Sequence, residues 1–180
     1  MAEYLGKLTV LKNKLFPQYR VLLFCLSILY SPIIFSSSMD VIGKSAENFN
    51  FPDLNNKMHS LNGLNNKFII INFWATWCVP CRKEIPLLNS IYTNHKSDGI
   101  EVIGIAIDNS GAVKKFVNMI PINYLNLIGG TQASETILSY GNISGVLPYT
   151  VFINRQNKIV VVAKGELTKS FLLRTIKKYR

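Results

Sequence analysis

The chain has 180 residues, of which 48% are hydrophobic, and a formal net charge of +10. This length suits one ordinary domain with a short extra segment, and the hydrophobic content excludes a wholly disordered chain. The basic residues are dispersed along the sequence, with their densest group at the C-terminus. Because they do not form a basic stripe interleaved with aromatic residues, we expect no binding to nucleic acid.

The N-terminus has the pattern of a targeting segment. Residues 21–39 carry no charge and begin with an almost purely apolar run, with basic residues before it and serines at its end. This order is typical of export signals, and the uncharged stretch is also long enough to cross a bilayer. Residues 1–39 are therefore predicted to be a membrane anchor or, alternatively, a cleaved signal peptide, and residues 40–180 an exported domain. We interpret Cys25, inside the apolar run, as a small hydrophobic residue without a redox role.

The exported part predicts alternating strands and helices after a small hairpin within residues 45–66. Apolar runs predict strands at residues 67–74, 100–107, 121–127, 149–154 and 158–163. Helical spacing predicts helices at residues 79–95, 112–119, 132–140 and 167–179. This order favours an α/β fold with a mixed central sheet flanked by helices.

The remaining two cysteines stand together as Cys78-Val79-Pro80-Cys81, where a predicted strand ends and a helix begins. A structural disulfide is disfavoured, because a ring this short constrains the unfolded chain very little. A zinc site would need two more ligands, and the chain's only histidines, His59 and His95, lack the usual spacing. The spacing therefore favours a redox-active cysteine pair with no bound metal.

The position of Cys78 before the first helical turn suits thiolate chemistry. Unpaired N–H groups and the helix dipole favour negative charge there, and Arg82 and Lys83 add positive charge in the same turn. We expect Cys78 to attack a substrate disulfide and Cys81, three positions later, to resolve the mixed disulfide.

Residues 73–86 (FWATWCVPCRKEIP) closely resemble the active-site segment of the TlpA/ResA family of exported thioredoxin-like proteins, and the resemblance extends from about Phe49 to the last predicted helix. It implies a thioredoxin-like fold with an N-terminal hairpin and an inserted β-α unit. The insertion is consistent with the 70 positions that separate Cys78 from Pro148. We expect no cofactor beyond the redox-active disulfide Cys78–Cys81.

Gly145-Val146-Leu147-Pro148-Tyr149-Thr150 resembles the second signature of this family, a loop whose proline faces the disulfide. The resemblance implies a cis bond between Leu147 and Pro148. Leu147 would then offer its backbone to an extended substrate peptide. Trp77 and Pro80 are expected to border the site and contact substrate.

The resemblance also points to a proton relay. Asn72 stands where cytoplasmic thioredoxins carry a buried carboxylate, and an amide cannot move protons in that way. Glu84, one helical turn beyond Cys81, matches an acidic residue of the family pattern and is the candidate relay. The alternative for Glu84 is a solvated residue on the helix surface.

The leading hypothesis is a periplasmic or extracytoplasmic reductase, anchored in the cytoplasmic membrane, that acts on specific exported protein cysteines. The resemblance implies targets such as the haem-attachment cysteines of apocytochromes c or the thiols of copper-site assembly proteins. It also implies a membrane or periplasmic electron donor. The alternatives are a general dithiol oxidase and a copper metallochaperone that uses the two thiols; a peroxidase is disfavoured.

Overall fold

The computed structural model describes residues 41–64 and 66–180. The predicted anchor or signal at residues 1–39, and Cys25 within it, lie outside the described residues. Among the helices of the described part, none is both long enough and apolar enough to cross a membrane.

Within the described residues the strands form two sheets. The smaller is an antiparallel pair, β1 (Asn50–Pro52) and β2 (Met58–Ser60), within the region of the predicted hairpin. The strands of the larger sheet are β3 (Phe68–Trp74), β4 (Ile100–Ala106), β5 (Leu125–Ile128), β6 (Tyr149–Ile153) and β7 (Ile159–Lys164). Their spatial order is β5-β4-β3-β6-β7; the first three are parallel, and β6 runs antiparallel to both β3 and β7.

In the part of the chain that the structure describes, four α-helices pack on the larger sheet: α1 (Val79–His95), α2 (Ser110–Met119), α3 (Ala133–Ser139) and α4 (Lys169–Tyr179). Helix α1 continues past Pro86 to His95, as its spacing predicts. Between β4 and β6 the chain adds α2, β5 and α3. A mixed sheet of five strands flanked by helices confirms the predicted α/β class.

Strand β3 is buried along its whole length, and its alternate side chains enter two different cores. Ile69, Ile71 and Phe73 pack with α3 and with residues near the start of the described chain, on the surface we call the α3 face. Phe68, Ile70, Asn72 and Trp74 point to the opposite side, the α1 face, which α1, α2 and α4 cover.

Two predicted boundaries are shifted by long-range hydrogen bonds. Strand β5 begins at Leu125 rather than at residue 121, because the Asn89 side chain of α1 binds the preceding backbone. It donates to Pro121 O at 2.9 Å and accepts from Asn123 N at 2.8 Å. Helix α4 begins at Lys169 rather than at residue 167, because the Thr168 hydroxyl caps it by accepting from Phe171 N.

Candidate active site

The disulfide lies at the junction between β3 and α1. Cys78 is the N-cap of α1, and its Sγ accepts a hydrogen bond from Cys81 N at 3.3 Å. Pro80 occupies the first turn, where a helix needs no backbone donor. Cys78 and Cys81 are joined as a disulfide, with their Cα atoms 5.3 Å apart. The first turn of α1 therefore places the two sulfurs together by its own geometry.

A second loop holds the segment that leads to Cys78. The Thr76 hydroxyl donates to Asp108 Oδ2 at 2.5 Å, and Thr76 N donates to the same oxygen at 3.2 Å. Ile107 N donates to Trp74 O at 2.8 Å. Hydrogen bonds of the backbone and of the Asp108 side chain therefore connect the segments that follow β3 and β4. Sequence reasoning missed Thr76 and Asp108, because their contact spans 32 residues.

The two cysteines differ in exposure. Cys78 is 5% exposed, whereas Cys81 is fully buried beneath it. A substrate approaching from solvent therefore meets Cys78 first. Trp77, which is 67% exposed, and Val79 flank Cys78 and give the edge of the site an apolar surface. Pro80, in the first turn of α1, is half-buried.

Leu147 and Pro148 lie on the loop before β6. Leu147 is half-buried and packs against the cluster that contains both cysteines, while Pro148 is buried. The peptide bond between these two residues is cis. The loop is fixed by the buried Asn142, whose side chain donates to Val146 O at 2.8 Å. The structure thus brings Leu147 to the disulfide from a distant part of the sequence.

Glu84 lies inside the protein, not on the helix surface, and is only 1% exposed. Its Oε1 accepts from Asn72 Nδ2 at 2.7 Å, and its Oε2 accepts from Leu167 N at 3.0 Å. Burial raises the pKa of Glu84 from its ordinary 4.5 to about 7, although the bonds from Leu167 and Asn72 lower it; the nearby Glu166 carboxylate adds a small upward effect. Glu84 therefore exchanges a proton near neutral pH.

Asn72 and Trp74 complete the buried surroundings of the site. Asn72 Nδ2 also donates to Thr150 Oγ1 at 3.0 Å, which links β3 to β6. Trp74 is fully buried, and its indole N–H donates to Asn126 Oδ1 at 3.0 Å. The aromatic ring of Trp74 packs on Phe116 of α2, with 5.0 Å between ring centroids.

The two histidines contact separate aspartates, away from the disulfide. His59 Nε2 is 2.9 Å from Asp53 Oδ2, and His95 Nδ1 is 3.2 Å from Asp98 Oδ2. Within the described residues, no group of three or more histidine, cysteine or acidic side chains is arranged to hold a metal ion. The described geometry around Cys78 and Cys81 instead suits thiol-disulfide exchange at a helix N-terminus.

Comparison with known proteins agrees with this chemistry. The AhpC/TSA family model matches residues 42–162. The thiol-disulfide oxidoreductase ResA of Bacillus thuringiensis subsp. konkukian is 38% identical over 138 residues, which cover 76% of this chain and 78% of the relative. ResA of Bacillus subtilis is 34% identical over 131 residues, covering 72% of this chain and 71% of the relative.

A solved structure shows the same fold. A thiol:disulfide interchange protein of the thioredoxin family from Chlorobium tepidum superposes with a TM-score of 0.68 at 28% identity, covering 78% of this chain and 98% of that protein. The fold is therefore thioredoxin-like. The chain belongs to the AhpC/TSA family and, within it, to the thiol-disulfide oxidoreductases of the ResA type.

Proposed function

We propose that this thiol-disulfide oxidoreductase works as a reductase of specific protein disulfides, with Cys78 as the nucleophile. The observation that carries the proposal is the difference between a reachable Cys78 at the helix N-terminus and a buried Cys81 beside a carboxyl group. The Cys78 thiolate attacks one sulfur of a substrate disulfide, forms a mixed disulfide and releases the other substrate sulfur as a thiol. Cys81 then attacks the Cys78 sulfur, which releases the second substrate thiol and leaves the Cys78–Cys81 disulfide.

Two electrons pass to the substrate in this cycle, and a dithiol donor must return them. Strong dithiol oxidants owe their potential to a stabilised reduced form. Here the basic residues Arg82 and Lys83 are exposed to solvent. The carboxyl group of Glu84, one helical turn after Cys81, is instead buried. A neighbouring carboxylate disfavours a buried thiolate on Cys81, so this surrounding supports the reducing direction.

Glu84 is proposed as the proton relay for Cys81. When a donor reduces the disulfide, Cys81 leaves as a thiolate, and protonated Glu84 supplies its proton from one helical turn away. When Cys81 attacks the mixed disulfide, the Glu84 carboxylate takes the proton back. A pKa of about 7 allows both directions at neutral pH.

The substrate-binding surface is proposed to be the apolar edge formed by Trp77, Pro80 and Leu147. Trp77, the residue before Cys78, is exposed, and Leu147 packs on the cluster that contains the disulfide. An extended substrate segment would pair with the backbone of Leu147 in the manner of an added strand. Replacing Trp77 with alanine is expected to raise KM for a protein substrate more than it lowers kcat.

The setting of the reaction is proposed from the sequence. A charge-free segment at residues 21–39 after a basic stretch favours tethering to the cytoplasmic membrane, with the catalytic domain on the extracytoplasmic side. The TlpA/ResA resemblance supports substrates such as apocytochrome c haem-attachment cysteines or copper-assembly thiols, and a membrane or periplasmic electron donor.

A redox titration of the full-length chain tests the proposed direction, with tryptophan fluorescence as the readout because Trp77 adjoins Cys78. A reversible two-electron transition near about −270 mV, at the thioredoxin end of the scale, supports the reductase. A value towards about −120 mV would instead indicate a dithiol oxidase. Tight Cu(I) binding without any such transition would indicate a metallochaperone. Cys78→Ser is the matched control, since it removes the couple.

A further inference from the structure

A row of polar residues crosses the α1 face of the sheet. In the strand register Asn126 of β5 is opposite Gly104 of β4, Gly104 is opposite Asn72 of β3, and Asn72 is opposite Thr150 of β6. The rest of this face is lined by apolar side chains on both sides of the row. Glu84 reaches the row from α1 through its bond with Asn72.

Three buried polar atoms in and beside this row have no hydrogen-bond partner among the described residues: Asn72 Oδ1, Asn126 Nδ2 and the Tyr124 hydroxyl. The orientation of each amide follows from its bonds. Trp74 donates to Asn126, which therefore presents its oxygen to the indole and turns its Nδ2 away. Asn72 uses its Nδ2 for Glu84 and Thr150, which turns its Oδ1 away from both. Leaving such groups unpaired in a protein interior costs free energy.

Because Gly104 has no side chain, the side chains around it approach β4 closely. A Cβ atom built on Gly104 would lie 2.6 Å from Asn126 Oδ1, 3.1 Å from Trp74 Nε1 and 3.1 Å from Tyr124 Cε2. The Tyr124 ring therefore lies over Gly104 beside Asn126, and Asn72 lies on the next strand. Tyr124 is also close enough to Glu84 for the carboxylate to disfavour its ionisation; together with burial, the dominant cause, this raises the pKa of Tyr124, which stays a neutral hydroxyl.

We propose that Asn72, Tyr124 and Asn126 bind one buried water molecule, and that Tyr124 and Asn126 are thereby positioning residues for Glu84. The three atoms supply what a single internal water requires. The water donates to Asn72 Oδ1, accepts from Asn126 Nδ2 and shares a hydrogen bond with the Tyr124 hydroxyl. No covalent bond changes, and the water is a fixed structural ligand.

The consequence concerns the ionisation of Glu84, and so the inference rests on the relay role proposed for that residue. The water holds the Asn72 amide with its NH₂ towards Glu84, and this donor favours the carboxylate against the effect of burial. The groups that act on this carboxyl from the packed elements are the Leu167 N–H, the Asn72 amide and the Glu166 carboxylate. The carboxylate in turn acts on the Tyr124 hydroxyl, and Cys81, one turn earlier on α1, is held in the disulfide.

The test compares Tyr124→Phe with wild type in the full-length oxidised chain, by following the ¹³C carboxyl resonance of Glu84 through a pH titration. Removing the hydroxyl leaves the water with two partners and loosens the Asn72 amide, so the Glu84 pKa is expected to rise by about one unit. Tyr140→Phe is the matched control, since it removes a buried hydroxyl from the α3 face and should leave the Glu84 titration unchanged. Equal Glu84 titrations in Tyr124→Phe and wild type would overturn the proposal.

A crystal structure of the oxidised wild-type chain at high resolution gives a second readout. Density for a water within hydrogen-bond distance of all three atoms is expected, and direct contacts among the side chains with no such density would contradict the site. The relay role is tested separately by Glu84→Gln in disulfide exchange at varied pH. An unchanged pH profile there rejects the relay alone, whereas an unshifted Glu84 titration in Tyr124→Phe rejects the water site alone.

Discussion

The two faces of β3 bury polar groups in different ways. On the α3 face, the Tyr140 hydroxyl donates to Glu47 O at 2.6 Å and the Tyr149 hydroxyl to Tyr140 O at 2.7 Å. On the α1 face, the Tyr124 hydroxyl has no protein partner within the described residues, and a carboxyl group is buried with it. These buried tyrosine hydroxyls on the α3 face are satisfied, whereas the unpaired polar atoms lie on the α1 face, which also contains the cysteine cluster.

The largest effect is expected at the disulfide itself. Cys78→Ser should reduce protein-disulfide exchange to the uncatalysed rate, because a serine hydroxyl is not a nucleophile comparable to a thiolate at neutral pH. Insulin reduction by dithiothreitol measures this rate. Cys81→Ser is the matched variant, expected to accumulate a mixed disulfide on Cys78 that gel mobility detects. If Cys78→Ser turned over substrate at a rate comparable to wild type, Cys78 would not be the nucleophile.

A core truncation on the α3 face should separate stability from redox chemistry. Ile71 is fully buried there, and Ile71→Ala is expected to lower the free energy of unfolding by about 2–5 kcal/mol. The redox potential of the cysteine pair should stay unchanged, because the α1 face is not altered. Urea denaturation and a redox titration on the same sample measure both quantities. A shifted potential would show that the two faces are coupled.

The buried carboxyl should make stability depend on pH. Since burial raises the pKa of Glu84 to about 7, the unfolded chain loses this proton at lower pH than the folded chain. The free energy of unfolding should therefore fall as pH rises from about 4.5 to about 7, by about 3 kcal/mol at most, and stay level above it. Glu84→Gln should lack this part of the pH dependence in urea denaturation at pH 5 and pH 8. Parallel profiles for the two proteins would contradict the raised pKa.

The smallest effect concerns the tyrosine hydroxyls. Tyr149→Phe leaves the carbonyl of Tyr140 without its donor and should cost about 1–2 kcal/mol of unfolding free energy. Burial raises the pKa of the Tyr149 hydroxyl to about 12, so the group is neutral under all assay conditions. Tyr124→Phe should cost less, because the Tyr124 hydroxyl bonds no protein group within the described residues, so its removal leaves no protein partner unpaired. Thermal unfolding measures the stability of both variants. An equal loss of unfolding free energy in the two would contradict the proposed difference between the faces.

Much of the fold follows from local patterns in the sequence. The unbroken apolar run at residues 67–74 predicts a central strand, and helical spacing predicts α1 with its observed bounds, Val79–His95. The predicted start of β5 at residue 121 was wrong. The observed start depends on Asn89, which lies more than 30 residues earlier and binds the backbone at Pro121 and Asn123. No local pattern carries such a bond.

The candidate site could be predicted from the sequence only in part. The cysteine pair and Pro148 stand in recognisable motifs, and the family resemblance pointed to Glu84. The roles proposed for Tyr124 and Asn126 could not be predicted, because their neighbours Gly104 and Asn72 come together only through strand register. A polar residue near an edge strand usually faces solvent, whereas the fold buries both of these residues.

The most direct test of the coupling between Glu84 and the disulfide is the pH dependence of the equilibrium between Cys78–Cys81 and dithiothreitol, measured for wild type and Glu84→Gln. If the buried carboxyl exchanges its proton with Cys81, the wild-type curve should change slope near pH 7 and the variant curve should not. Superimposable curves through this range would show that Glu84 takes no part in the redox chemistry.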